Sequence, residues 1–252
     1  MGRNLSFAAE LPIFRLQFYL TANYPCSYLA GQQARSQVAA PGGLVDTVAY
    51  NELMRRGFRR SGLHVYRPHC DHCHACTSTR VPVATFQPGR AQRRCLDRNE
   101  DLELRLKPLL FDETHYRLYR RYQVARHAGG GMDQDDREQY RSFLLQSRVD
   151  SALVEYRLNG ELVMVALLDR LLDGLSAVYT FFEPGLERRS LGVYSVLMQI
   201  RLARELGLPY LYLGYWIADC RKMAYKRAYR PLEMLLDGRW QRVGAESEIC
   251  AG

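Results

Sequence analysis

The sequence predicts an α+β protein in two parts: a cysteine-bearing mixed domain over residues 1–100 and an antiparallel sheet flanked by helices over residues 101–252. Two observations lead to this prediction. Three strand-like runs joined by Asn159-Gly160 and Asp173-Gly174 indicate an antiparallel meander, because these dipeptides favour tight hairpin turns. Three cysteines are also concentrated in one short segment of the first half. With 252 residues, of which 47% are apolar, the chain can build a substantial core.

The first part is predicted to contain strands and one short helix. Residues 11–20 alternate, with phenylalanines and leucines on one side, which is the period of a half-buried strand. Asp46 is a suitable N-cap for a helix that ends at Gly57. Residues 64–67 and 80–86 are predicted strands on either side of the cysteines.

The second part begins with another alternating strand, residues 102–107. Asp112 can cap a helix that reaches about His127, and a glycine run at 129–131 ends it in a loop. A further helix is predicted over residues 137–146. The three strands of the meander follow from Ser151.

After the meander the pattern predicts a long helix over residues 190–206, a strand over 208–216, a helix around 220–229 and a strand near 232–236. Meander, helix, strand, helix and strand is the order of an N-acetyltransferase-like (GNAT-like) core. The predicted class is therefore α+β with a GNAT-like second domain.

The start of that long helix bears on the acyl donor. In coenzyme A-dependent members of the fold, the motif [RQ]xxGx[GA] lets main-chain amides hold a pyrophosphate. Here Arg189 to Gly192 supply the first half, and Tyr194 stands where a second small residue is expected, so its side chain would crowd the approach. The sequence favours another activated acyl group, and an acetyl-CoA-dependent enzyme remains an alternative.

The segment Gly57–Arg80 carries the cysteines. Cys70, Cys73 and Cys76 form a CxxCxxC array, and thiolates select zinc, copper(I) or iron-sulfur iron. Cys26 is the best candidate for a fourth ligand. An odd total of seven cysteines favours a reduced compartment and a zinc or iron-sulfur site over disulfides, with free thiols as the alternative. The rival fourth ligands are His64, His69, His72 and His74.

Charge is distributed unevenly along the chain. Residues 1–150 hold 22 Arg and Lys against 15 Asp and Glu, whereas residues 151–252 hold 13 against 12. Arginines interleaved with aromatic residues are suited to binding phosphates and exposed bases. A solvated surface that only keeps the protein soluble explains the same charges equally well. No signal segment or apolar run of membrane-spanning length is present, so a cytoplasmic location without membrane contact is expected.

The segment 212–231, YLGYWIADCRKMAYKRAYRP, is dense in hydroxyl and ammonium donors. Such groups can hold an oxyanion, a carboxylate or the end of a tRNA, and interfacial tyrosines are also common for packing alone. The donors are Tyr212, Tyr215, Lys222, Tyr225, Lys226 and Tyr229.

Together these two segments resemble the aminoacyl-tRNA-protein transferases of the N-degron pathway, and the length and layout are similar to the short bacterial leucyl-transferring form. The resemblance spans nearly the whole chain in the same order. The matching residues are Cys26 in PCSYL, Gly57–Gly62, Tyr66-Arg67-Pro68, the cysteine array, Thr79-Arg80, Tyr212–Tyr215, Cys220, Lys222-Met223, Tyr225-Lys226 and Tyr229–Pro231.

The resemblance implies transfer of leucine from Leu-tRNA to the α-amine of proteins that begin with Asp or Glu, which marks them for degradation. The implied reaction needs no cofactor. Arginine as the transferred residue, or a non-catalytic tRNA-binding or nucleic-acid-binding protein, are the alternatives.

An acidic N-terminal residue has to be recognised by cations, and the same cations could instead contact tRNA phosphates. For the oxyanion or the proton transfer, two tyrosines are the candidates. The predicted substrate-binding residues are Arg59, Arg60, Arg80, Lys222, Lys226, Tyr212 and Tyr225, and the predicted catalytic residues are Tyr215 and Tyr179.

Overall fold

The structure, a computed structural model, describes residues 12–127 and 136–244. The strands are β1 Gln17–Leu20, β2 Tyr24–Pro25, β3 Gln33–Ala34, β4 Ser36–Ala40, β5 Arg59–Ser61, β6 His64–Pro68, β7 Thr77–Pro82, β8 Leu102–Lys107, β9 Ser151–Leu158, β10 Glu161–Arg170, β11 Gly174–Phe182, β12 Tyr210–Trp216, β13 Leu232–Leu236 and β14 Arg239–Val243. The α-helices are α1 Thr47–Arg55, α2 Arg90–Arg98, α3 Glu113–His127, α4 Arg137–Tyr140 and α5 Leu191–Glu205.

Eight strands form the main sheet, in the order β14-β13-β7-β12-β11-β10-β9-β8. Strand β7 comes from the cysteine-bearing half of the sequence, yet it lies between β13 and β12 and pairs antiparallel with both. A four-stranded sheet, β1-β4-β6-β5, is formed by the N-terminal residues. The predicted division into two domains at residue 100 stays a prediction. Strand β7 precedes this residue in the sequence, yet it belongs to the main sheet, which is otherwise formed by strands that follow residue 100.

Strands β11 and β12 are parallel, and they separate along their length. They pair only where Gly174 to Ser176 lie opposite Tyr210 to Tyr212. Gly174 permits this close approach, because a Cβ there would lie 2.5 Å from the Tyr210 carbonyl oxygen. Beyond this point both strands continue, β11 to Phe182 and β12 to Trp216, so a gap opens between them.

Apolar side chains cover both faces of the main sheet. On one face α5 and α2 pack over residues such as Met164 and Leu211. On the other face α3 covers Phe181, and α1 packs with the N-terminal sheet against Tyr212. Within the described residues no helix is both long and apolar enough to cross a bilayer.

The predicted class and the order of its elements are confirmed. The meander β9-β10-β11 is followed by α5, the parallel strand β12 and then β13. Helix α1 begins at the predicted cap, where the Asp46 carboxylate accepts a hydrogen bond from the Ala49 amide at 2.8 Å. Asn159 and Gly160 both have positive φ, as the predicted tight turn requires.

Two predicted strands of the first half have wrong bounds. Residues 11–20 do not form one half-buried strand: a 3₁₀ helix, Pro12–Arg15, precedes β1, whose four residues are all exposed at a sheet edge. Proline favours the helical start because its φ is fixed. The strand predicted over 80–86 is β7, which starts earlier at Thr77 and ends at Pro82, opposite the start of β12.

Two predicted helices differ in type. The helix over 137–146 is a short α-helix, α4, continued by a π-helical turn, Arg141–Leu145. The helix around 220–229 is a 3₁₀ helix, Arg221–Ala228. The predicted loop at 129–131 lies outside the described residues.

Two local expectations around the second half are also wrong. The turn after β10 is formed by residues 171–173, and Gly174 belongs to β11 rather than to a tight turn. Tyr194 does not crowd the start of α5, because its ring lies in the core, 5.9 Å from the ring of Tyr156. Arg189 makes a bidentate ion pair with Asp101 instead of remaining free for a phosphate.

Candidate active site

The candidate site is the gap between β11 and β12, and Arg59 reaches across it. From strand β5 its side chain passes Gly214 of β12 and donates from Nη2 to the Ala177 carbonyl of β11 at 2.6 Å. Gly214 has a φ of +81°, at a register shift in the pairing of β12 with β7. A glycine inside a strand thus provides both the bulge and a flat surface for the guanidinium.

Arg59 is only 9% exposed, yet its Nη1 has no hydrogen-bond partner among the described residues. A buried donor without an acceptor is costly, and native structures rarely leave one. This nitrogen is therefore suited to an acceptor on a ligand, and a carboxylate is the strongest such acceptor.

Lys226 supplies a second cation to the same place. Its side chain is 4% exposed, and Nζ donates to the Tyr215 carbonyl oxygen and contacts the Met223 sulfur at 3.4 Å. Burial, and then the nearby charge of Arg59, lower the pKa of Lys226 to about 7. An anion bound between Lys226 and Arg59 would offset both effects, because an adjacent negative charge favours the charged form of the lysine.

Tyr215 and Tyr66 border these cations. The Tyr215 hydroxyl is buried and donates to the Gly57 carbonyl at 2.9 Å, which commits its proton to the main chain. Burial, and then Tyr66, raise the pKa of Tyr215 well above its ordinary value. Burial also raises the pKa of Tyr66, against the opposing effect of Arg59. Tyr225 is partly exposed at the edge of this group.

Arg60, the neighbour of Arg59 on β5, is directed to a different place. Its Nε and Nη2 form a bidentate pair with Asp169 at 2.8 and 2.6 Å, and Nη2 also donates to Ser151. Nη1 donates to the carbonyls of Gly62 and Gln146. All five N–H groups of Arg60 therefore have protein acceptors, and the pair ties the N-terminal sheet to β10.

The remaining predicted substrate cations lie elsewhere. Arg80 pairs with Glu233 at 2.7 Å, donates to the Tyr212 hydroxyl and lies over the Tyr210 ring at 3.5 Å. Tyr212 in turn donates to Asp173, so Arg80 and Tyr212 form a separate buried group. Lys222 is exposed on the 3₁₀ helix that carries Lys226.

Tyr179, the other predicted catalytic residue, lies on β11 beyond the point where β12 separates from it. Its ring packs against Phe143 at 5.1 Å in the aromatic cluster under α3, and its hydroxyl is 3.5 Å from Gln123. The structure therefore brings Arg59, Lys226, Tyr215 and Tyr225 together, and places Tyr179 in a neighbouring cluster.

The four predicted metal ligands lie in one region of the fold, beside Tyr215 and Lys226. Cys26, Cys70, Cys73 and Cys76 are free thiols of intermediate burial. Burial, and then the other three cysteines with Cys220, raise the pKa of Cys76 to about 12. The donor set is chemically suited to a soft cation, but no three of the described sulfurs lie within 4.8 Å of one another. The ligand set remains a prediction.

One other described group has the chemistry of metal ligands. Asp112, His115 and Glu155 bring ligand atoms within 4.8 Å of one another. However, Asp112 already caps α3, accepting from Thr114 at 2.6 Å, and Glu155 accepts from His115 and Arg157. Because these contacts satisfy both carboxylates, we assign no metal here.

Sequence reasoning missed the main-chain half of the site. The Ala177 carbonyl accepts a hydrogen bond from Arg59, and the Tyr215 carbonyl accepts one from Lys226. A main-chain acceptor cannot be predicted from a pattern of side chains. Gly214 was detectable, since an isolated glycine in a strand-like run indicates a bulge or a close approach.

Two family descriptions match this chain. "Arginine-tRNA-protein transferase, N terminus" matches residues 24–94, and "Arginine-tRNA-protein transferase, C terminus" matches residues 114–236. The first range includes Arg59 and the cysteine array, and the second includes Gly214 and Lys226.

Curated relatives match over nearly their full length. The chain is 61% identical to the aspartate/glutamate leucyltransferase of Chromobacterium violaceum, over 90% of this chain and 93% of that protein. It is 60% identical to the enzyme of the same name from Thiobacillus denitrificans, over 94% and 98%. The chain belongs to the arginine-tRNA-protein transferase family and is an aminoacyltransferase.

Solved structures match this chain at lower sequence identity. FemX is 10% identical, over 81% of each chain, with a TM-score of 0.46. L-PGS from Bacillus licheniformis is 14% identical, over 64% of this chain and 47% of that chain, with a TM-score of 0.41.

Proposed function

We propose that this chain transfers leucine from leucyl-tRNA to the α-amine of proteins whose first residue is aspartate or glutamate. The transferred leucyl group and the acidic acceptors are those in the names of the relatives, aspartate/glutamate leucyltransferase, and the matching family descriptions name a tRNA. The observation that supports the acceptor preference is the pair of buried cations, Arg59 with its unpartnered Nη1 and Lys226.

In this proposal the acidic side chain of the acceptor enters the gap between β11 and β12. Its carboxylate accepts a hydrogen bond from Arg59 Nη1 and lies beside Lys226, whose charged form it favours. Anchoring the side chain positions the adjacent α-amine for reaction, which lowers the entropic part of the barrier.

The reaction is aminolysis of an ester. The neutral α-amine attacks the carbonyl carbon of the leucyl ester, a C–N bond forms, and the bond from that carbon to the ribose oxygen breaks. One amine proton ends on the ribose oxygen, so the transfer step is balanced without an oxidant or a metal ion. An α-amine titrates at about 7.7–8.0, and a useful neutral fraction is present near pH 7.

We further propose that the tRNA backbone lies along α2 and the adjoining 3₁₀ helix. Among the described residues none of the four exposed α2 arginines forms an ion pair, and Gln92 of α2 donates to the Ala228 carbonyl at 3.1 Å. This contact fixes α2 against the helix that carries Lys226, so a basic surface adjoins the site. The four arginines are Arg90, Arg93, Arg94 and Arg98.

The test is a transfer assay with the purified full chain. Radiolabelled Leu-tRNA and Arg-tRNA are supplied in parallel to peptides identical except for a first residue of Asp, Asn, Glu, Gln, Arg or Lys. We expect leucine on the Asp and Glu peptides. The isosteric Asn peptide should lose about 100-fold in kcat/KM, since a charge-assisted contact contributes roughly 1.5–3 kcal/mol. Equal transfer to Asp and Asn would contradict recognition of the carboxylate.

A variant of Arg59 tests whether the preference for the Asp peptide over the Asn peptide arises in the gap between β11 and β12. Arg59→Gln should lower kcat/KM for the Asp peptide to near the value for the Asn peptide, with little further loss on Asn. Arg56→Gln, the same change on an exposed residue of the neighbouring turn, is the matched control and should keep the preference. If Arg59→Gln reduces transfer to both peptides equally, Arg59 serves the fold rather than recognition of the acceptor.

A further inference from the structure

The main sheet ends in an exposed edge strand at β8. It pairs with β9 on one side, and among the described residues its other side has no strand partner. Five of its six residues are exposed, all but Leu102. A free row of main-chain donors and acceptors can bind another strand, and natural proteins usually block such edges.

The two sides of β8 differ sharply in character. Leu104 and Leu106 lie opposite Tyr156 and Val154 of β9, on the face that α5 covers, and they are 40% and 66% exposed. Apolar surface continues from them into a groove of about 240 Å³ between β8 and α5, which Met198 also lines. The alternate residues, Glu103, Arg105 and Lys107, form a charged row on the other face.

The charges of this row are complementary to those of a second copy of β8, which is therefore the strand that best fits the free edge. In an antiparallel pair of identical strands with Leu104 opposite Leu104, Glu103 of each copy lies opposite Arg105 of the other. Leu102 then lies opposite Leu106, so leucine meets leucine along one face and opposite charges meet along the other. Directly opposed pairs of this kind stabilise antiparallel strands.

Neighbouring registers are excluded by the same charges. Moving the symmetry centre by one residue, to Glu103 or to Arg105, sets Glu103 against Glu103 or Arg105 against Arg105, and opposed like charges destabilise a strand pair. Within one chain Glu103 and Arg105 already pair at 2.9 Å, and both side chains are more than half exposed. Their pairing in two copies would form a ring of four alternating charges.

We propose that β8 is the interface of a homodimer, in which two copies pair antiparallel about a two-fold axis at Leu104 and join their main sheets into one. The interface is isologous, because each copy presents the same strand and the same leucine face. A pairing of six-residue strands with one apolar face is small beside a standard interface of about 1,600 Å², so a dissociation constant on the order of micromolar is expected.

Sedimentation velocity of the full chain, from about 1 to about 100 μM, tests the proposal at the concentrations that such an affinity implies. We expect a concentration-dependent shift from monomer to dimer. Leu106→Glu should abolish this shift, whereas Leu172→Glu should leave it unchanged. Leu172 is a matched control because it is 61% exposed in the loop after β10. If the protein stays monomeric throughout this concentration range, the proposal is wrong. If the two variants affect association equally, β8 does not form the interface.

Charge reversal and cross-linking test the register. Glu103→Arg or Arg105→Glu alone should weaken association at least about tenfold, and the double reversal should restore it, since opposite charges again face each other. Residues opposed across antiparallel strands have Cα atoms about 4.5–5.5 Å apart, within reach of a disulfide. Leu104→Cys should therefore form a covalent dimer under mild oxidation, and Leu106→Cys, which faces Leu102, should not. A double reversal without recovery, or equal cross-linking of the two cysteine variants, overturns this register.

Discussion

The guanidinium of Arg59 lies against the main chain of Gly214, with three of its atoms 3.5 Å from the position that a Cβ on Gly214 would take. Gly214 holds a φ of +81°, which L side chains rarely adopt. The bulge in β12 and the position of the Arg59 side chain are therefore coupled. A change to the glycine should reach the cation through the main chain.

We expect Gly214→Ala to reduce leucine transfer far more than it reduces stability. The left-handed conformation costs an alanine roughly 1–2 kcal/mol, and the strand can relieve that strain by flattening the bulge and displacing Arg59. Gly160→Ala is a matched control, since Gly160 has a φ of +84° with open space around it in the β9–β10 turn. Similar loss of stability in both variants, with activity lost only in Gly214→Ala, is the expected pattern in thermal unfolding and transfer assays. Normal transfer by Gly214→Ala would show that the bulge does not position Arg59.

The ion pair of Arg60 with Asp169 should be essential for stability, because its two side chains are 2% and 0% exposed. Arg60→Met leaves a buried carboxylate with only Ser151 as donor, and such a change destabilises by about 3–5 kcal/mol. The exposed pair of Arg170 with Asp150 is the control, and Arg170→Met should cost about 1 kcal/mol or less. Denaturant unfolding measures both. Similar losses for the two variants would mean that the Arg60 pair is not stabilising.

Local signals in the sequence predicted much of the fold. Asp46 capped α1 and Asn159-Gly160 turned the first hairpin as expected, because each acts within a few residues. The insertion of β7 between β12 and β13 was not predictable, since pairing between distant strands has no local signature. For the same reason Arg59 and Arg60 were equivalent in the sequence, and only the fold directs one to the gap and the other to Asp169.

The cysteine array has a prediction of its own. If three or four of the thiolates hold zinc or an iron-sulfur cluster, protein purified under anaerobic conditions should contain that metal in a fixed ratio by mass spectrometry. Cys70→Ser should lose it. Cys95→Ser should keep it, because Cys95 is buried on α2, where its thiol contacts the carbonyl oxygens of Arg189 and Ser190. Metal-free wild-type protein, or equal loss in both variants, would exclude a metal at the array.

The α2 surface predicts a particular dependence on salt. Each phosphate contact that is removed should lower the slope of log affinity against log salt concentration by about 0.7–0.9. Arg94→Gln should therefore weaken binding of Leu-tRNA and flatten that slope, as measured by filter binding over a salt series. Arg239→Gln, an exposed arginine on the edge strand β14, should change neither. An unchanged slope for Arg94→Gln would place the tRNA elsewhere.

We expect Lys226 to lower the free energy of unfolding although it is needed for leucine transfer. Its pKa of about 7 in the folded chain lies below the value of about 10.4 for an unfolded lysine, so between these values the unfolded state binds more protons and stability rises with pH. Lys226→Met removes this penalty and should stabilise the protein by about 2 kcal/mol near pH 6, with a gain that shrinks as the pH rises toward 10. The same variant should lose most transfer to the Asp peptide. Denaturant unfolding at several pH values, beside transfer assays, measures both effects, and a destabilised variant would mean that Lys226 is a structural residue.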